Sequence, residues 1–231
     1  MGRNNEKVKD KKKERKMMSE RMNVGWANVK KANSQTDPLD SLPSFRKINK
    51  NGMSLNLETA RATELNEDTK DWMFKLLESN MKTAYQKSDW GWNEGNKKAE
   101  LFEEAAWFLI ARNDDGTPIA FSHFRFDMDF DDDVLYCYEI QLEPEVRRKG
   151  LGRVMMKVLE LIMMKADMIK IMLTVFKHNE AATTFFKKSL KYDVDETCPY
   201  NTIYEQFDYE ILSRFNPKRK VEDNSENIPL N

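Results

Sequence analysis

The chain has 231 residues, 40% of them hydrophobic and 33% charged, with 38 Lys and Arg against 39 Asp and Glu for a formal net charge of −1. That length suits one domain with tails, and without a run of about 18 apolar residues no membrane span is expected. Two cysteines, Cys137 and Cys198, exclude a disulfide framework and point to a reducing compartment; with only two His, far from them, no metal-ligand spacing exists and no metal is expected.

The polar N-terminus lacks an apolar signal-peptide region, and Glu6 leaves the Met-Gly myristoylation pattern incomplete. Eight Lys and Arg against three acids fill residues 1–16. Met18, Met22, Trp26 and Val29 then recur near helical spacing, which predicts one helix from about residue 5 to 33. Its second half can dock on a core while its first half projects. The side chains Lys9, Lys11, Lys12, Lys13, Arg15 and Lys16 suit a nuclear-targeting or weak nucleic-acid contact, or simply a solvated helix end. Pro38 and Pro43 mark a linker.

Met53, Leu55 and Leu57 alternate with polar residues, giving a first strand. Asn66 can cap a helix running to about Gln86, with Trp72, Met73, Leu76, Leu77, Met81 and Ala84 on its apolar side. A Trp90-Gly91-Trp92 turn and a short helix near Lys97 to Glu104 follow. Three strand-like runs, Ala106–Arg112, Pro118–Asp127 and Val134–Leu142, are separated by turn signals such as Asp114-Asp115-Gly116 and predict an antiparallel meander. A helix over 151–165, a strand Ile169–Phe176, a helix Asn179–Lys188 and strands near 191–195 and 206–213 complete a mixed α/β sheet. The domain boundaries expected are 1–44 for the basic helix and linker, 45–213 for the main domain, and 214–231 for a polar, disordered tail.

The densest chemical signal is Arg147-Arg148-Lys149-Gly150-Leu151-Gly152, between the strand ending at Leu142 and the helix starting at Leu151. Glycines let backbone approach a bound group, and N–H groups converge at a helix start where the dipole favours anions. Read alone, the run fits either a pyrophosphate cradle or a solvated basic loop. Its place at the carboxyl end of a strand favours a ligand site.

Glu139 lies in an otherwise apolar strand, where a carboxylate is costly unless used or paired, so it is either a base or a salt-bridge partner. By alternation Tyr136 and Tyr138 share a face, and Cys137 points the other way as a buried filler. Five Asp occupy seven positions from Asp127 to Asp133. Asp131, Asp132 and Asp133 are expected to supply only long-range steering.

The glycine turn matches the Gln/Arg-x-x-Gly-x-Gly/Ala signature of the GNAT superfamily of acetyl-CoA-dependent acetyltransferases, which the chain resembles. Four further segments resemble the histone-selective, NatD type of N-alpha-acetyltransferase within it. They are Ser88-Asp89-Trp90-Gly91-Trp92, Ala120-Phe121-Ser122-His123-Phe124-Arg125-Phe126-Asp127, Val134-Leu135-Tyr136-Cys137-Tyr138-Glu139 and Leu173-Thr174-Val175-Phe176-Lys177-His178-Asn179. The resemblance covers roughly residues 1–213.

It implies a GNAT fold with an added N-terminal helix, acetyl-CoA as cosubstrate, no metal, and transfer to the α-amine of histones 2A and 4, whose tails begin Ser-Gly-Arg-Gly. It implies Glu139 as base with help from Tyr138, and a peptide groove of Tyr85, Trp90, Asp127, Asp129, Tyr136, Tyr138, Thr174 and Tyr209. The cofactor side would be Ile140, Gln141, Leu142, Arg147, Arg148, Lys149, Gly150, Leu151, Gly152, Arg153 and Asn179, the last also a helix cap. A monomer of cytoplasm and nucleus is expected.

The chemistry is consistent with that set. An α-amine, of pKa about 7.7–8.0, is about a tenth or more neutral at pH 7, so a modest base suffices. The rest is positioning and holding an oxyanion, for which backbone N–H groups near Ile140 to Leu142 are candidates. One departure stands out: the helix position where many of these enzymes carry a general-acid tyrosine reads Phe185-Phe186. Two rivals are therefore kept, a lysine or small-amine acetyltransferase and a non-catalytic chromatin-binding module.

Overall fold

A computed structural model describes residues 2–50 and 52–219, with side chains described from residue 11 onward except at 14, 50 and 53. Lys9 and residues 220–231 of the expected tail thus fall outside the described side chains.

The order is helix α1 (Gly2–Asn33), strands β1 (Lys47–Lys50) and β2 (Met53–Arg61), helices α2 (Glu67–Gln86) and α3 (Glu94–Leu101), strands β3 (Trp107–Asn113), β4 (Pro118–Asp129) and β5 (Asp132–Leu142), helix α4 (Leu151–Lys165), strand β6 (Lys170–Phe176), helix α5 (Glu180–Thr183), and strands β7 (Asp193–Val194) and β8 (Tyr209–Phe215). One sheet orders them β1-β2-β3-β4-β5-β6-β8-β7. Every neighbouring pair is antiparallel except β5 with β6, which run parallel across the α4 connection. This is the mixed α/β architecture the sequence predicts.

Local sequence explains the helices that flank the site. Asn66 accepts from the Thr69 N–H at 2.8 Å, and Glu67 and Asp68 sit in the first turn where the dipole favours acids. The stripe Met73, Phe74, Leu76 and Leu77 is then buried on the sheet. α4 starts on Gly150, whose φ of 88° is left-handed, and buries Leu151, Met155, Leu159, Ile162 and Met163.

Two cores result, one on each side of the sheet. α4 and the second half of α1 cover Leu57, Trp107, Leu109, Phe124, Leu135 and Leu173. α2 and α3 cover Phe108, Ile110 and Phe121. α1 is braced as expected: Val29 and Ala32 are buried, Asn33 donates to the Phe126 carbonyl at 3.0 Å, and Arg61 lies over the Trp107 ring. The basic first half is exposed at Lys11, Lys12, Lys13, Arg15 and Lys16.

Three expectations need correcting. Asp132 and Asp133 are not free steering charges. Asp132 pairs with Arg21 of α1 and with the buried Lys170, and Asp133 accepts from Asn28 and Arg219. A strand-end acid run became a clamp because α1 and the segment after β8 both arrive there. The tail does not begin at 214: β8 runs to Phe215, and buried Asn216 donates to the Met168 carbonyl. Finally, the helix expected over Asn179–Lys188 keeps α-helical geometry only to Thr183 and continues as a π-helical turn over Thr184–Ser189.

Candidate active site

β5 and β6 pair only from Val134–Lys170 to Cys137–Leu173. Beyond that point β5 stays bonded to β4 as far as Leu142, and β6 to β8 as far as Phe176. The sheet therefore parts in the middle, and the edge of β5 from Tyr138 onward has no strand partner on its β6 side among the described residues. A cavity of about 890 Å³ fills the gap, within the usual range for a ligand site.

The cavity's floor is the parted strands, with Ile140, Gln141 and Leu142 on one side and Thr174, Val175 and Phe176 on the other. One wall carries Arg147, Arg148, Gly150, Gly152 and Arg153 at the start of α4, and Asn179, Phe185, Phe186 and Ser189 face them. No side chain caps α4 at Gly150, which leaves its first turn to bind an anion. Arg147 bonds the Leu142 carbonyl and the Asn80 side chain at 2.6 Å, so its cation is fixed at the rim. A methyl group on Gly152 would meet the Phe185 ring at 3.3 Å, so the wall is tight there. An open strand edge, a cationic rim and an uncapped helix start suit a chain of amides ending in phosphates, so the donors present fit a coenzyme A moiety.

The other end is aromatic and acidic. A β-bulge shapes it: His123 pairs with Glu139 and Phe124 with Cys137, which leaves Tyr138 as an extra residue in β5. Tyr138 stacks on His123, with ring centroids 4.9 Å apart, under the Arg125 guanidinium. Glu139 is buried and accepts from Gln141 at 2.8 Å and from the Tyr85 hydroxyl at 3.4 Å. The Lys97 ammonium lies 3.7 Å from that carboxylate and donates to the Tyr85 hydroxyl at 2.7 Å. Burial pushes the Glu139 carboxyl above its usual range, and the Lys97 charge and the Gln141 bond pull against it. Burial also raises Tyr85 and Tyr138, and it takes His123 down to about 3, so that imidazole is neutral and accepts from Arg125.

An aromatic wall continues from Tyr85. Trp90 packs against Phe176 and Tyr209, with centroids 5.1 and 5.0 Å away. Tyr136 and Thr174 share a hydroxyl–hydroxyl bond of 2.6 Å across the point where the strands part.

Of the residues predicted from sequence, Tyr85, Trp90, Tyr136, Tyr138, Glu139, Ile140, Gln141, Leu142, Arg147, Arg148, Gly150, Gly152, Arg153, Thr174 and Asn179 line this one cavity. Asn179 also caps α5, its side-chain oxygen accepting from the Ala182 N–H at 3.2 Å. Tyr209 borders the cavity through Trp90. Asp127 and Asp129 lie off the lining, further along β4; Asp127 accepts from the Met128 N–H. One Asp129 oxygen is buried without a partner among the described residues, and burial raises its pKa. Lys149 is off the lining, and Leu151 is a core side chain whose part in the cavity can only be its backbone. Cys137 is a buried filler as expected, its thiol pushed up to about 12 by burial. Sequence reasoning missed Asn80, Lys97, Glu100 and Phe176. Only the Lys97–Glu100 spacing of three on a helix hinted at an ion pair.

A sheet split beside a glycine-bounded helix defines an acyl-CoA transferase of mixed α/β fold. The sequence profile of the acetyltransferase (GNAT) family matches residues 66–192, and the chain belongs to that family. Among solved structures it is similar to the PaiA N-acetyltransferase from Thermoplasma acidophilum in complex with coenzyme A, with TM-score 0.52 and 16% identity over 71% of this chain and 99% of that one. It is also similar to YncA from Salmonella typhimurium with acetyl-CoA, at TM-score 0.51 and 14% identity over 74% and 98%. A GNAT acetyltransferase from Listeria monocytogenes matches at TM-score 0.51 and 14% identity over 73% and 99%. At these identities the likeness is one of fold. No metal-binding cluster and no helix long and apolar enough to cross a membrane occur among the described residues.

Proposed function

We propose that this acetyltransferase acts on the α-amine of a protein N-terminus, with the Ser-Gly-Arg-Gly tails of histones 2A and 4 as substrates. The observation that carries the reading is Glu139, a buried carboxylate at the mouth of the parted strands, enclosed by Tyr85 and reached from the groove past Trp90. Acetyl-CoA supplies a thioester carbonyl carbon, to which the amine nitrogen bonds as the carbon–sulfur bond breaks and coenzyme A leaves as its thiolate. Glu139 removes the proton from that nitrogen, directly or through water, and no acyl-enzyme forms. N–H groups on the open edge of β5 from Ile140 to Leu142 hold the negative charge that builds on the acyl oxygen. The basic rim from Arg147 to Arg153 holds the phosphates.

The substrate side follows from size and charge. The Tyr85–Trp90–Phe176–Tyr209 wall suits a small first residue. Asp127 and Asp129, further along β4 beyond the cavity lining, suit a following Arg. Tyr136 and Thr174 sit between the two regions. The exposed basic face of α1 fits a weak nucleic-acid contact, and with it a monomer working in cytoplasm and nucleus.

Paired peptides test the reading. A Ser-Gly-Arg-Gly peptide with a free α-amine and no lysine is turned over, and the same peptide with its α-amine blocked is not. Turnover confined to a third, lysine-bearing peptide whose α-amine is blocked moves the assignment to a lysine acetyltransferase.

A further inference from the structure

Lys97 belongs to no glycine turn, strand motif or acidic run, yet it meets both Glu139 and the Tyr85 hydroxyl that bonds it. It reaches in from α3, the short helix beside the Trp90 turn, and its side chain is 11% exposed. Its ammonium donates to the Tyr85 hydroxyl at 2.7 Å and to Glu100 at 2.9 Å. It sits 3.7 Å from Glu139 and 4.3 Å from the centre of the Tyr85 ring. The Tyr85 hydroxyl, having accepted from Lys97, donates onward to Glu139. The three groups form a chain of hydrogen bonds from ammonium to hydroxyl to carboxylate.

We propose that Lys97 is a positioning residue for acetyl transfer: its ammonium orients the Tyr85 hydroxyl toward Glu139 and stands against the Glu139 carboxylate as its counter-charge, while its helix ties that carboxylate to the peptide-binding wall. The inference rests on Glu139 being the base. The surroundings leave few other groups for the task. From α3, Glu100 opposes the effect by repelling Glu139. From β4, His123 is neutral, and Arg125 is committed to His123, Glu103 and the Glu100 carbonyl. From β5, Gln141 donates a neutral bond and Cys137 stays a thiol. From α2 come Tyr85, which burial keeps protonated, and the neutral Asn80, which bonds Gln141. Lys97 is thus the one cation against this carboxylate among the described residues that surround it. The Tyr85 link also connects peptide wall and base, so a substrate pressing on that wall bears on the position of Glu139.

The test is a carbon-13 NMR titration of the glutamate carboxyls in the full-length protein, alongside the pH profile of peptide turnover. E139Q identifies the Glu139 signal and, by losing turnover, establishes it as the base. K97M, or K97Q should K97M lose its cooperative melt, moves the Glu139 midpoint up by about one pH unit or more. The acid limb of the turnover profile moves with it, while the KM for acetyl-CoA stays put. K97R restores both. A Glu139 midpoint and acid limb unmoved in K97M and K97Q overturn the role of Lys97 and leave the base assignment intact. An E139Q variant that keeps its turnover removes the base assignment itself, whatever Lys97 does.

Discussion

Tyr138 and Glu139 are successive residues of β5, yet both side chains face the α2–α3 layer. The register slip opposite His123 and Phe124 makes this possible: Tyr138 stacks on His123 while Glu139 is the strand partner of the same residue. In a regular strand one of the two would point into the α4 core. The bulge therefore delivers an aromatic hydroxyl and a carboxylate to one spot, next to the point where β5 and β6 separate.

Replacing Glu139 with Gln keeps the shape and removes the base. Turnover should fall by at least about a hundredfold, the usual contribution of a positioned base, with acetyl-CoA affinity retained. Stability should move the other way. Because burial raises the Glu139 pKa in the fold, the stability it contributes is full in acid and is lost as pH rises through that raised value. E139Q escapes that loss, so its melting temperature at pH 8 should match or exceed the wild type. A lower melting temperature at pH 8 together with normal activity counts against both statements.

His123 titrates in the opposite sense. Its folded pKa of about 3 lies below its ordinary 6.5, so its contribution to stability is complete above 6.5 and is lost as pH falls toward 3. Denaturant unfolding across that window should carry one extra proton, a slope of about 1.4 kcal/mol per pH unit, compared with H123N. Equal slopes for the two proteins contradict a buried neutral imidazole.

Lys170 is wholly buried between Asp195, at 2.9 Å, and Asp132, at 3.2 Å. Burial presses its pKa down, but its bonds and charge contacts with the two acids outweigh that, so it remains an ammonium. K170M strands two carboxylates and should cost about 3–5 kcal/mol in chemical denaturation. Adding D195N should recover part of that loss; a purely additive double variant shows the pair is uncoupled.

Gly150 holds a φ of 88° at the start of α4. G150A forces a side chain into left-handed backbone, costing about 1–2 kcal/mol of stability. Calorimetry with coenzyme A should also show weaker binding, since the same turn presents the N–H groups of the phosphate cradle. Unchanged affinity places the phosphates elsewhere.

The glycine turn and the limits of α4 were readable because Gly and helix periodicity are local signals. So were most strands, from alternation between turn residues. The bulge was not: Tyr136-Cys137-Tyr138-Glu139 reads as plain alternation, and the slip depends on what His123 and Phe124 require across the sheet. Lys97 was hidden because Lys97-Lys98 on a short helix looks solvated, and only the tertiary approach of α3 to β5 brings it to Glu139. The roles of Asp132 and Asp133 depend on partners more than a hundred residues distant in sequence for α1 and dozens distant for β6, which no local pattern reveals.

The nitrogen that receives the acetyl group separates α-amine transfer from lysine transfer. A peptide beginning Ser-Gly-Arg-Gly-Lys offers both an α-amine and an ε-amine to the protein with acetyl-CoA, and fragmentation mass spectrometry locates the added group. Acetyl on the serine nitrogen, absent with E139Q, is the predicted result. Acetyl confined to the lysine side chain, or an unmodified peptide, contradicts it.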